Sequence, residues 1–219
     1  MNPDLLLEII PAFTRAAWIS VWISMLAIAC GAAGGFCLNA LLQLYPRCGG
    51  AYRAFVWLVR GTPFLAQLFV LYFGLPQLGI TLNAVQATVL GLSLYGAAYF
   101  AEIFRATWQS IPRGHIEAAR IFGLSRWRIL HHIETPQAGR LAIPMLTNQA
   151  ILILKESSVA SIITVPELTM TAGTVVAETF SYIEPYLLLG LIYWLLALSL
   201  SWLGRTTERL TSLRYQRNI

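Results

Sequence analysis

Two long uncharged stretches constrain what this chain can fold into. Residues 16–46 and 61–101 contain no Asp, Glu, Lys or Arg. A bilayer crossing needs roughly 20 largely apolar residues. Backbone inside lipid must satisfy its own hydrogen bonds, which leaves helices as the spanning elements here. Composition agrees: 57% of the 219 residues are hydrophobic and 11% are charged. A soluble domain carries roughly 25% charged residues, so this chain lacks the polar surface to stay in solution, and the membrane class is indicated.

The stretches divide into spans. Ala16 to Pro46 supplies the first. The second uncharged stretch is too long for one crossing and holds the turn signal "GLPQLG", Gly74 to Gly79. It splits into a second span, about 51–73, and a third, about 84–104. A fourth is expected over about 141–165 and a fifth over about 185–204, as one domain across residues 1–219. Pro166 to Glu184 reads as the connection between the last two. The acidic N-terminal stretch MNPDLLLEIIPAFTR is not a cleavable signal peptide. Cys30 and Cys37 lie about 10 Å apart by helical rise, too far to bridge. With Cys48 they read as packing residues, since their spacing suits no metal.

Basic residues choose the orientation. Arg47 and Arg53 fall in the first connection, and Arg105, Arg113, Arg120, Arg126, Arg128 and Arg140 in the third. Arg205, Arg209, Arg214 and Arg217 fall in the tail. The other connections carry no base. All basic segments share one side if the N-terminus is outside and the C-terminus cytoplasmic. Topology thus explains the net charge of +5, and no nucleic-acid partner is expected.

The third connection carries "HIEAARIFGLSRWRILHHIETPQ", His115 to Gln137, within a hairpin of about 110–137. Ser110 and Pro112 mark a helix start. Gly123 suits a left-handed stop. Ser125 caps a second short helix that Pro136 ends near Ile133. Such a pair could lie on the bilayer or act as a docking knob for a soluble partner.

Glu117, Ala118, Ala119, Gly123, Ile133 and Pro136 keep the spacing of the EAA motif of ATP-binding-cassette (ABC) importer permeases, with Thr135 where the family usually has Leu. Further stretches, "LVRGTPFLAQLF", "YFAEIFRATWQSIPRGHIEAAR" and "TPQAGRLAIPMLTNQAILILKESSVASIITVPEL", resemble the histidine/glutamine/arginine/opine group of amino-acid permeases. The resemblance covers most of residues 14–205. It implies an all-α, polytopic membrane protein with five transmembrane helices and a cytoplasmic coupling-helix hairpin, the type I ABC importer permease fold, in a bacterial inner membrane. It implies an ABC ATPase dimer as partner, meeting Glu117, Ala118, Ala119, Gly123, Ser125 and Arg126. It further implies a second permease, identical or related, and a periplasmic or extracellular substrate-binding protein. The cargo is then a polar amino acid or an opine-like derivative. ATP and magnesium would bind the ATPase, with no cofactor in this chain.

Ionisable residues at membrane depth are costly and are functional candidates by default. Lys155 and Glu156 interrupt the fourth span beside Ser157 and Ser158. They read as a helix end that reaches water, as structural pairing with another helix, or as lining of a substrate path in which the Glu156 carboxylate holds a substrate amino group; the resemblance places "KESS" in the region lining the family's substrate route. Arg60-Gly61-Thr62-Pro63 is the second candidate, because Pro63 frees backbone carbonyls. A kink with a snorkelling arginine is the plainer reading. Glu102 is expected to pair with an arginine. Tyr95 and Tyr99 share one helical face, to pack or to line the path. Gly31-xxx-Gly35 permits close helix approach. His115, His131 and His132 have no metal spacing, and Trp57, Trp194 and Trp202 suit interface belts.

There is no G-x-x-x-x-G-K-[ST] phosphate loop and no convincing nucleophile–base set, so a transport subunit is expected rather than an enzyme. An ion-coupled transporter or channel remains the alternative, resting on one Lys-Glu pair and leaving the hairpin without a purpose.

Overall fold

The apolar stretches fold as helices in a computed structural model that describes residues 3–216. Arg217 of the basic tail, and the two ends of the expected 1–219 domain, lie outside the described residues. The elements are α1 (Pro3–Leu44), α2 (Gly49–Gly61), α3 (Phe64–Phe69), α4 (Ala84–Gln109), α5 (Arg113–Ile121), α6 (Arg126–Ile129), α7 (Thr135–Glu156), α8 (Leu168–Thr179) and α9 (Ile183–Gln216). No strand occurs among them. Among the described residues three helices, α1, α4 and α9, are each long and apolar enough to span, and two bent pairs bring the total to as many as five if each pair is one crossing.

The first bent pair is α2 with Phe64–Leu78, meeting at 106°. Proline drives the residue before it out of the helical region, and Thr62 is extended (φ −119°, ψ 146°). The expected second span is therefore two helices at a steep angle, not one kinked rod. The second pair bends by 47° between Ile163 and Leu168. The expected connection of 166–184 instead contains α8.

Small residues set the central packing. A Cβ at Gly35 would sit 2.7 Å from the Ala101 nitrogen and from Phe100 Cβ; one at Gly31 would sit 3.2 Å from Gly96 Cα. The Gly31-xxx-Gly35 face thus lets α1 and α4 meet backbone to backbone. Around this contact lies the main core, with Ile23, Ala27, Phe64, Leu68, Leu92, Phe100 and Ile153. A second core joins the start of α1 (Ile9, Phe13, Ala16) to α8 and α9. The three cysteines are exposed rather than packed inside. Trp57, Trp194 and Trp202 are exposed too, as belt residues would be.

Candidate functional site

The hairpin is one short helix docked at the foot of a long one. α5 ends at Gly123, whose φ of +73° makes the left-handed stop, with Gly123 and Leu124 amides donating to the Arg120 and Ala119 carbonyls (2.9 and 3.1 Å). Ser125 takes the N-cap conformation, but its side chain makes no cap bond. Ser110 closes α4 rather than opening α5, and Pro112 is the residue before α5. Pro136 does not end the second helix. A π-helical turn, Leu130–Glu134, joins α6 to α7, and Pro136 falls in the first turn of α7. The helix runs on from α6 through this wide turn into α7, and the turn accommodates a proline that has no amide hydrogen to give to the regular ladder. Thr135 Oγ1 donates to the Leu130 carbonyl at 2.8 Å, so the residue that departs from the usual Leu bonds the wide turn.

Glu134 anchors this arrangement. It is 2% exposed, accepts from Trp108 Nε1 at 3.0 Å and is ion-paired with Arg126. Trp108 lies on α4 and Arg126 on α6, so one carboxylate ties the hairpin to the bundle. Ala119 is buried, while Glu117, Ala118, Ser125 and Arg126 are exposed. At the tip, Ile121 and Phe122 are both 85% exposed. His115 Nδ1 and Gln137 Oε1 lie 3.0 Å apart across the hairpin's base.

The broken helix is closed by a residue that the sequence did not flag. Gln67 Nε2 donates to the Val59 carbonyl (2.7 Å), the Thr62 carbonyl (3.1 Å) and Thr62 Oγ1 (3.0 Å). Thr62 Oγ1 donates to the Leu58 carbonyl at 2.8 Å. The carbonyls freed by Pro63 are thus taken by Gln67 and Thr62. A glutamine followed by apolar residues carries no periodic signal, so only the bend reveals its role.

Arg60 projects from the last turn of α2 over the Tyr99 ring, 4.9 Å from its centroid. It also lies 3.7 Å from Glu102. Glu102 accepts two bonds from Arg105 (2.9 and 2.8 Å) and one from Tyr52 (2.6 Å). The expected arginine pairing of Glu102 is therefore present, with two arginines. Tyr95 packs on Tyr99 at 4.7 Å between centroids and edge-on to Phe64 at 5.7 Å. Arg60, Tyr99 and Glu102 line a cavity of about 530 Å³ with Asn148 and Gln149 of α7. Gln149 is buried, and its Nε2 has no hydrogen-bond partner among the described residues.

Lys155 and Glu156 do not pair. Lys155 and Ser158 line a separate cavity of about 570 Å³ against Thr169, Tyr186 and Tyr193. Glu156 is half-buried where α7 tightens into a 3₁₀ segment, Ser157–Ile163. Ser157 is buried and donates to the Leu154 carbonyl at 2.7 Å. The expected path residues are therefore divided. Arg60 and Tyr99 meet at one place, Lys155 and Ser158 at another, while Gly61 lines the opposite side of Arg60.

A further buried acid escaped notice because it reads as a loop residue. Glu167 caps α8, accepting from the Met170 amide at 2.8 Å, and accepts from Tyr193 at 2.9 Å. It fixes the bend between Ile163 and Leu168 to α9. No group of three or more possible metal ligands occurs among the described residues.

Known proteins resemble this chain in sequence and fold. A family model described as "Binding-protein-dependent transport system inner membrane component" matches residues 31–212. The probable amino-acid ABC transporter permease protein YckA of Bacillus subtilis (strain 168) is 37% identical over 194 residues, 88% of this chain and 86% of YckA. The glutamine transport system permease protein GlnP of Escherichia coli (strain K12) is 33% identical over 208 residues, 91% of this chain and 93% of GlnP. A crystal structure of an amino acid ABC transporter with histidines superposes with a TM-score of 0.87 at 32% identity, covering 95% of this chain and 99% of that one. The MetNI methionine ABC transporter, at 18% identity and a TM-score of 0.76, shares the fold. The bent spans, the docked hairpin with its EAA spacing and these likenesses lead to one assignment: the chain belongs to the inner-membrane components of binding-protein-dependent transport systems, among the permeases of amino-acid ABC transporters.

Proposed function

We propose that this multi-pass permease carries a polar amino acid through half of a path whose other half is a second permease, identical or related. An ATPase dimer, holding ATP and magnesium, would seat α5 and the turn after it. Glu117, Ala118, Gly123, Ser125 and Arg126 would form that contact with Ala119 buried behind them, and the observation that carries it is the exposed Ile121–Phe122 tip beside a segment that Glu134 ties to α4. The hairpin and the C-terminus are cytoplasmic and the N-terminus outside, where a substrate-binding protein delivers cargo.

The cavity beside Arg60 suits a zwitterion: a guanidinium for the carboxylate, and Glu102 with Tyr99 near the ammonium group. Gly61 and Thr62 shape its approach, and Tyr95 backs Tyr99. Lys155, Glu156, Ser157 and Ser158 mark where α7 changes its winding, and this segment would line the outer part of the path. Binding of ATP to the partner would favour one of two states of the bundle, giving alternating access.

Co-purification with the ATPase tests the reading. The wild type should bring the ATPase out of membranes, and Glu117→Lys with Gly123→Asp should lose it while the permease still inserts. Retention of the ATPase by the inserted double variant would refute the docking role.

A further inference from the structure

A cavity of about 750 Å³ lies behind Arg60, between the end of α1, the face of α2 and the inner part of α4. Arg53, Arg60 and Arg105 line it against one carboxylate, Glu102. Arg105 is committed to Glu102 by two bonds and to Gln109 by a third, of 3.0 Å. Three arginines less one carboxylate leave a net charge of two positive units; Arg60 shares Glu102 at 3.7 Å, and Arg53 has no carboxylate among the described residues. Arg53 is exposed and makes no ion pair or hydrogen bond among the described residues. Nor can the flanking chain balance it, for no Asp or Glu occurs between Glu8 and Glu102.

The wall of this cavity is amphipathic. Tyr52, Val56 and Val59 are buried on one face of α2, while Arg53, Trp57 and Arg60 are exposed on the other. Trp57 is 78% exposed, and Leu42 adds an apolar rim. Because α2 meets the next helix at 106°, it does not simply continue that helix through the bilayer. A short helix with arginines beside an exposed indole suits the level of lipid headgroups.

We propose that this cavity binds the phosphodiester headgroup of an anionic phospholipid of the cytoplasmic leaflet. Arg53 and Arg60 face the phosphate, and Trp57 and Leu42 flank the first part of the acyl chains. Guanidinium forks match phosphate oxygens, and basic pockets between spans on the cytoplasmic side take such headgroups. The apolar rim next to the charges favours a lipid over a free anion. Since Arg60 also lines the path cavity, the bound lipid holds Arg60 from behind. The inference rests on the cytoplasmic orientation of α2 given above, but not on the cargo or the ATPase.

Lipid retention, read on the intact purified protein by native mass spectrometry, tests this without any transport assay. From an equimolar mixture the wild type should retain phosphatidylglycerol over phosphatidylcholine. Arg53→Gln should lower that preference about fivefold, Arg53→Lys should keep part of it, and Arg15→Gln on α1 should leave it unchanged. Millimolar inorganic phosphate should not displace the lipid. Equal retention of the two lipids, or an unchanged preference in a folded Arg53→Gln protein, would overturn the proposal. Full displacement by inorganic phosphate would assign the cavity to a soluble anion instead. A disulfide between two copies carrying Trp57→Cys in a background lacking the native cysteines would show that a second permease covers this face, and would equally overturn it.

Discussion

At the residue scale, single polar side chains hold the places where helices break. Gln67 makes three bonds across the Gly61–Pro63 break, Glu134 joins hairpin to bundle, and Glu167 joins α8 to α9. Leaving a buried polar group unpaired costs about 1–3 kcal/mol. Gln67→Leu strands the carbonyl of buried Val59, so the purified protein should melt earlier by a loss in that range, and faster amide exchange should appear at the end of α2. Unchanged melting and exchange would mean the bend does not depend on Gln67. None of the three roles was legible beforehand. Arg60 and Glu102 stood out because charge in an apolar run is rare, whereas Gln67 sits among apolar neighbours without a charge, and Glu134 and Glu167 sit in stretches that read as connections.

At the element scale, glycine placement decides which helices can touch. The α1–α4 contact needs hydrogen at Gly35, where a Cβ would meet the Ala101 backbone at 2.7 Å. Gly35→Val should force the helices apart and destabilise the protein by about 1–3 kcal/mol, the cost of overpacking a filled interface. Gly173→Ala on α8, with nothing within 4 Å of the added carbon, should be tolerated; thermal unfolding in detergent compares the two. Equal melting of Gly35→Val and Gly173→Ala would show that α1 and α4 are free to separate. The Gly31-xxx-Gly35 spacing was visible in the sequence, but its partner was not, because α4 is joined to α1 only through the bent α2–α3 pair. The hairpin shows the reverse limit. Its helix-stop glycine was legible from local stereochemistry, yet Pro136 looked like a helix end and proved to be a first-turn residue.

At the scale of the whole molecule, the placement of the basic residues predicts an orientation that labelling can test. In a variant lacking Cys30, Cys37 and Cys48, Leu78→Cys should react with an impermeant maleimide added to intact spheroplasts. Gly114→Cys, at the start of α5, should react only after lysis. Labelling of Gly114→Cys in intact spheroplasts, with Leu78→Cys protected until lysis, would reverse the topology. The sequence alone determined the membrane class and the spacing of the hairpin motif, and it carries the expectation of five segments with the basic connections on one side. These follow from composition, from the fixed thickness of a bilayer and from local helix geometry, all of which act along the chain. Only the tertiary structure decided that Arg60 and Tyr99 share a cavity while Lys155 faces another. It alone showed that α2 turns through 106° and that Glu134 and Glu167 are buried anchors. Such pairings join residues far apart in sequence, and their partners are fixed by which helix faces meet, a property that no local periodicity encodes.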